Sequence, residues 1–165
     1  MVSCLKTVLS CVILLFSTFI QSQNLTRYFD LMEEGKLSEV RSDINLLLEQ
    51  FPNHSGVMFL AAQSQERAED AVMAYKKLIQ NHPNSKYADD AMIKVGEYLY
   101  ARGLYTQASA QLAKIPKAYP KSDHVQRAID LQINSLLAIG EKDSISTYIA
   151  SYQKEFPALD FDYNF

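Results

Sequence analysis

Histidine, cysteine and carboxylate side chains are the first places to look for chemistry, and here they are few and scattered. His54, His82 and His124 each stand beside a proline turn or at a helix start, and none has a second His or a Cys at metal-ligand spacing. They are expected to be exposed loop histidines. Asp89 and Asp90 could serve as an acid–base pair or hold a cation. However, neighbours on a helix diverge by about 100°, and acids in a first turn are favoured by the positive end of the helix dipole. Glu66, Glu69 and Asp70 open a second stretch in the same way. No nucleophile elbow, phosphate loop or His-Glu-x-x-His run is present. The expectation is a chain with no catalytic residues, no metal and no cofactor. Asn24 (Asn-Leu-Thr) and Asn53 (Asn-His-Ser) fit the glycosylation triplet, which has meaning only in a eukaryotic secretory route.

With 165 residues there is room for one domain with a real core. Gly and Pro number five each and the net charge is −3, a composition that favours a helix-rich globular chain over a disordered one. The mild acidity argues against nucleic acid, which normally asks for a basic stripe. Residues 1–23 differ from the rest. Lys6 precedes TVLSCVILLFSTFI, and Gln21-Ser22-Gln23 follows it without charge. About fourteen apolar residues are short for a span, which needs roughly 20, and the layout is that of a secretory signal peptide cut near Ser22 or Gln23. An uncleaved anchor is the alternative, and the leader is the only membrane contact expected. Cys4 and Cys11 both lie inside it, so the remainder would hold no thiol and no disulfide. Val8-Leu9-Ser10-Cys11 is similar to a lipoprotein box, but the apolar run follows Cys11 where it should precede it.

The elements that would position any site are marked by a repeat. Four ring-plus-proline dipeptides occur, Phe51-Pro52, His82-Pro83, Tyr119-Pro120 and Phe156-Pro157, separated by 31, 37 and 37 residues. Twelve residues before each proline stand Val40, Ala71, Ala108 and Ile145. Four later come Ile44, Tyr75, Leu112 and Ile149, and three later again Leu47, Leu78, Ile115 and Tyr152. Gly35, Gly103 and Gly140 lie five residues before the first column, with Glu66 the exception. These columns predict helices over 26–34 and 37–50, then 55–65 and 67–81, then a hairpin within 82–120, then 123–139 and 143–155. In the third hairpin Asn84-Ser85 is expected to cap the first helix. Its apolar stripe is Ala88, Ala91, Met92, Val95 and Leu99. Gly103 ends that helix, and a second one from Tyr105 is expected to run unbroken to Tyr119-Pro120.

At these columns the chain resembles the tetratricopeptide repeat. Gly103-Leu104-Tyr105 with Ala108 fits the family's bend and small position, and Val95-Gly96 its point of close helix contact. Pro-x-Ser-x-Tyr-Ala-Asp-Asp-Ala, residues 83–91, is similar to the variant of bacterial envelope proteins such as outer-membrane-assembly lipoproteins of the BamD type and the periplasmic coordinator of the Tol-Pal system. The resemblance implies an all-α fold of about four stacked antiparallel hairpins in a right-handed superhelix over residues 24–157, after the leader at 1–23 and before an aromatic tail at 158–165. It further implies a non-catalytic, exported, periplasmic or envelope-associated scaffold.

In stacked hairpins the first helices line the inner side, where a guest segment usually lies. Transferred column by column, that face comprises Phe29, Met32, Leu60, Gln63, Asp90, Ile93, Glu97, Tyr100, Arg127, Asp130, Asn134 and Leu137. The expectation is a peptide or protein partner from the envelope, anchored by Leu60, Ile93 and Tyr100, with Asp90, Glu97 and Asp130 favouring a basic stretch. Two rivals remain, a homo-oligomer formed through open repeat edges and the aromatic tail, and a small binding protein for peptidoglycan or lipid fragments. Phe161, Tyr163 and Phe165 alternate in that tail, which is expected to pack over the last hairpin.

Overall fold

The computed structural model describes residues 25–163, and the expected leader lies outside the described residues. Among the described residues every regular element is a helix, and none is long and apolar enough to cross a membrane. The chain divides into two compact units, one ending at Glu66 and one beginning at Arg67.

The first unit holds α1 (25–33), α2 (Leu37–Gln50) and α3 (Ser55–Gln63). Leu25, Ile44, Leu47, Val57, Leu60 and Ala61 form its core, closed by Tyr28, Phe29, Met32, Leu48 and Phe51. Polar clips hold the edges of this unit. Tyr28 donates to Asp43 at 2.9 Å, and Arg41 donates to the Ser64 carbonyl at 2.6 Å while pairing with Glu66 at 3.1 Å.

The second unit holds α4 (Ala68–Asn81), α5 (Ala88–Ala101), α6 (Tyr105–Leu112), α7 (Lys114–Ala118), α8 (Val125–Ala138) and α9 (Lys142–Glu155). Helix α5 packs between α4 and α6, α6 packs on α8, and α8 on α9, with α5 also meeting α8. Val125, Ile129, Ile133, Leu136, Ile145 and Tyr152 form the core of the last hairpin, and Leu159, Phe161 and Tyr163 of the tail pack against it.

The ring-plus-proline stops share one local geometry. Phe51, His82, Tyr119 and Phe156 are each the C-cap of a helix, with φ between −126° and −136° and ψ between 58° and 65°. Each donates its N–H to the carbonyl four residues back, on Leu47, Leu78, Ile115 and Tyr152, the third column of the repeat. A residue before proline is driven out of the α region, so the helix stops one residue ahead of each proline. Tyr119 also reaches back, its hydroxyl donating to the Pro83 carbonyl at 2.7 Å.

The bends are equally regular. Gly35, Gly103 and Gly140 have φ of 75°, 71° and 79°. After each, the next N–H reaches back five residues, from Lys36 to Leu31, Leu104 to Leu99 and Glu141 to Leu136. This is the Schellman ending, which needs a left-handed residue and so favours glycine.

Two expectations are corrected. Asn84-Ser85 does not cap α5, which starts at Ala88 behind Tyr87 with no side-chain cap. The Ser85 hydroxyl instead accepts from the Tyr87 N–H at 3.4 Å, inside a turn closed by the Ser85 N–H on the His82 carbonyl. The helix expected from Tyr105 to Tyr119 breaks at Ala113. Pro116 has no N–H to give to the preceding turn and is tolerated only in a first turn, which the fresh start of α7 at Lys114 supplies.

Candidate functional site

The side chains expected on an inner face come from α1 and α3 in the first unit, where Phe29 and Met32 pack against the core, and from α5 and α8 in the second. In the second unit α5 and α8 are the leading helices of consecutive hairpins, and polar bonds fasten them at two levels. At the N-terminal end of α5, Asp90 Oδ1 lies 2.6 Å from Nε2 of His124, the N-cap residue of α8. Two turns along, Glu97 accepts from Arg127 Nε and, at 3.3 Å, from Lys94 Nζ. Burial works against ionisation of Glu97, but the hydrogen bonds and charges of Arg127 and Lys94 outweigh it and hold its carboxyl below the usual range. Tyr75 on α4 is buried near the same carboxylates, and burial first, then the charges of Asp90 and Glu97, push its phenol up.

Farther along, the Tyr100 ring meets Tyr105 edge to face at 5.4 Å. Arg127 and Asn134 are exposed on α8, whereas Asp130 is half-buried. Asp130 Oδ1 accepts from the Tyr163 hydroxyl at 2.7 Å and from Gln126 Nε2 at 2.8 Å. Gln63, the last residue of α3, is half-buried in the first unit.

Two expected anchors are corrected. Leu60 is fully buried in the core of the first unit, and Ile93 is 2% exposed. Each turns its side chain into packing, so neither offers surface to a guest. The expected basic preference also loses ground, because Asp90 faces His124, Glu97 faces two cations and Asp130 accepts two internal hydrogen bonds.

His124, expected as a loop residue, is half-buried and joins two hairpins. His54 is the N-cap of α3, its Nδ1 accepting from the Gly56 N–H at 3.2 Å. His82 Nε2 is buried with no hydrogen-bond partner among the described residues. No group of three His, Cys, Asp or Glu among the described residues could hold a metal ion.

Reasoning from the sequence missed Gln126. Its side-chain amide donates to the Asp160 carbonyl and accepts from the Asp160 N–H, both at 2.9 Å. Gln126, Asp130, Asp160, Asp162 and Tyr163 surround a cleft of about 210 Å³. The one available signal was the four-residue step from Gln126 to Asp130, which places both on one helical face.

No curated protein matches the chain. The tetratricopeptide-repeat family matches residues 57–85, which take in most of α3 and all of α4, and residues 90–122, which run from the first turn of α5 past α7. The bends and columns described above are those of hairpin repeats, and over both stretches the chain is similar to the tetratricopeptide repeat.

Proposed function

We propose that the chain is a non-catalytic scaffold of the bacterial cell envelope that binds a partner protein or peptide along α5 and α8. Tetratricopeptide repeats point to protein partners in general. The observation that carries the reading further is the double fastening of α5 to α8 through Asp90–His124 and Glu97–Arg127. Two adjacent helices held in register form a surface that needs little reordering when a guest arrives, and pre-organisation lowers the cost of association. Tyr100, Arg127, Asn134 and the accessible edges of Asp90, Glu97 and Asp130 would contact the guest. With Leu60 and Ile93 buried, affinity would come from Tyr100 and from polar contacts to the guest's main chain. The paired carboxylates would add modest steering toward a basic stretch. Export is supported by the layout of residues 1–23, and the envelope by the repeat style of residues 83–91.

A photo-crosslinking side chain placed at Asn134 on α8, and separately at exposed Lys76 on α4, tests this in the native cell. One discrete envelope protein should be captured from Asn134 and not from Lys76. Equal capture from both positions, or a protein that fractionates with the cytoplasm, would refute it.

A further inference from the structure

The carboxy-terminal segment is bound to the last hairpin in the manner of a recognised peptide. Gln126 engages both main-chain groups of Asp160, the pairing a neighbouring strand would make, and so it reads backbone and not side-chain identity. On either side of Asp160, Leu159 and Phe161 pack against the core of α8 and α9, and Tyr163 adds both its ring and a hydroxyl held by Asp130. The Phe161 and Tyr163 rings meet edge to face at 6.5 Å. Asp160 and Asp162 between them are exposed. The seat therefore selects apolar or aromatic groups at alternate positions, with a phenol at the last.

The connection to α9 is slight. After the Phe156 cap, Pro157 and Ala158 are exposed, and one turn bond, from the Leu159 N–H to the Phe156 carbonyl at 3.1 Å, leads into the seated segment. Swinging the segment out at Pro157–Ala158 would break no helix.

We propose that the α8 surface at Gln126 and Asp130 is a peptide-binding site, filled in one copy by its own residues 159–163 and able to take the same residues from a second copy. Every copy carries the matching segment, and a reciprocal exchange restores every contact that opening removes, which makes it a low-cost route to a dimer. The tethered segment competes at an effective concentration of the order of millimolar, so exchange is concentration-dependent. The proposal shares the α8 surface and Asp130 with the partner reading above, but its main-chain contacts come from Gln126, which that reading does not use. Failure of capture at Asn134 would leave it intact.

The test uses the full chain. The triple variant L159A/F161A/Y163A empties the seat while retaining the tail, and circular dichroism monitors folding. A fluorescein-labelled peptide of residues 158–163 should bind this variant at least about tenfold more tightly than it binds the wild type, whose own segment competes. Adding Q126A should remove that gain with helicity unchanged. A sequence-scrambled peptide should not bind. Equal binding to the wild type and the triple variant, or binding indifferent to Q126A, would overturn the site. If the triple variant does not fold, the single variant Y163F in the wild-type chain takes its place; it should raise peptide binding by loosening the native occupant, and adding Q126A should remove that gain. For the second copy, light scattering of the wild type should show a dimer growing with concentration and absent from the triple variant. A wild type that stays monomeric while the peptide binds would overturn exchange and leave a partner protein's segment as the guest.

Discussion

The side chain of Leu112 on α6 covers the Cα of Gly96 on α5, so closely that a Cβ built at Gly96 would fall within 2.8 Å of Leu112 Cγ. Leu112 is fully buried, so any shift of its side chain must displace packed neighbours. In an exposed helix, alanine in place of glycine gains about 1 kcal/mol. Here overpacking against a buried leucine should cost about 1–3 kcal/mol and win. G96A is therefore expected to lower stability in urea, whereas adding L112A should make the alanine neutral or favourable. Additive losses in the double variant would show that the two residues do not clash.

Gly103 provides the contrast. It has φ of 71° and nothing within 4 Å of a built Cβ, so its requirement is conformational and not steric. G103A should cost about 1 kcal/mol from the left-handed backbone alone. Because no neighbour is crowded, L112A should leave that cost unchanged.

In the last hairpin Tyr152 donates to Gln132 Oε1 at 2.7 Å, and Gln132 is fully buried with its Nε2 unpartnered among the described residues. Y152F would strand the carbonyl end of the amide as well, at a cost of about 1–3 kcal/mol. Q132L with Y152F removes both polar partners from an apolar site and should recover most of the loss. Denaturant midpoints of the two single variants and the double one decide this, and a double variant as unstable as Y152F would refute it.

The same phenol gives an alkaline limit. Burial is the main cause that pushes Tyr152 from 10.0 up to about 12. Burial also raises Tyr75 and Tyr163. A raised pKa means that the folded chain holds protons that the unfolded chain releases above pH about 10, so stability falls as pH rises through this window. Below pH 10 the contribution is complete. Thermal melts from pH 9 to 12 should show Tm dropping above 10, with a smaller drop in Y152F.

Glu97 and Arg127 form a partly exposed pair, with side-chain exposures of 23% and 62%. E97R or R127E alone should cost about 1 kcal/mol or less, and the charge-swapped double variant should recover part of it at low salt. The carboxyl's lowered pKa works in the opposite sense to the phenols. Its stabilisation is present above the ordinary carboxylate pKa and is lost as pH falls through the lowered folded value. A coupling that survives both 1 M salt and strong acid would mean that the pair is not electrostatic.

The hairpin order and its punctuation were legible because their causes are local. A residue before proline is disfavoured in the α region by local sterics, and Phe51, His82, Tyr119 and Phe156 end their helices alike. Gly35, Gly103 and Gly140 mark left-handed bends for an equally local reason. The break at Ala113 was legible too, in Pro116, but the larger spacing of the ring-plus-proline stops masked it. The start of α5 was misplaced because Asn84 and Ser85 suit a turn as well as a cap.

The candidate face was legible as a set of positions, not as a surface. Helical period put Asp90, Ile93, Glu97 and Tyr100 on one stripe of α5. A stripe has a buried edge, and only packing against the next helix decided that Ile93 falls inside it while Tyr100 stays half-exposed. The partners of Asp90, Glu97 and Asp130 lie 30 to 34 residues away, on His124, Arg127 and Tyr163. No local rule links residues so far apart. What the sequence by itself determined was where each helix stops and bends, since these are properties of a few consecutive residues. Which side chains remain exposed, and that Gln126 holds the tail, was decided by the tertiary structure, because exposure and long-range hydrogen bonds exist only once the helices have packed.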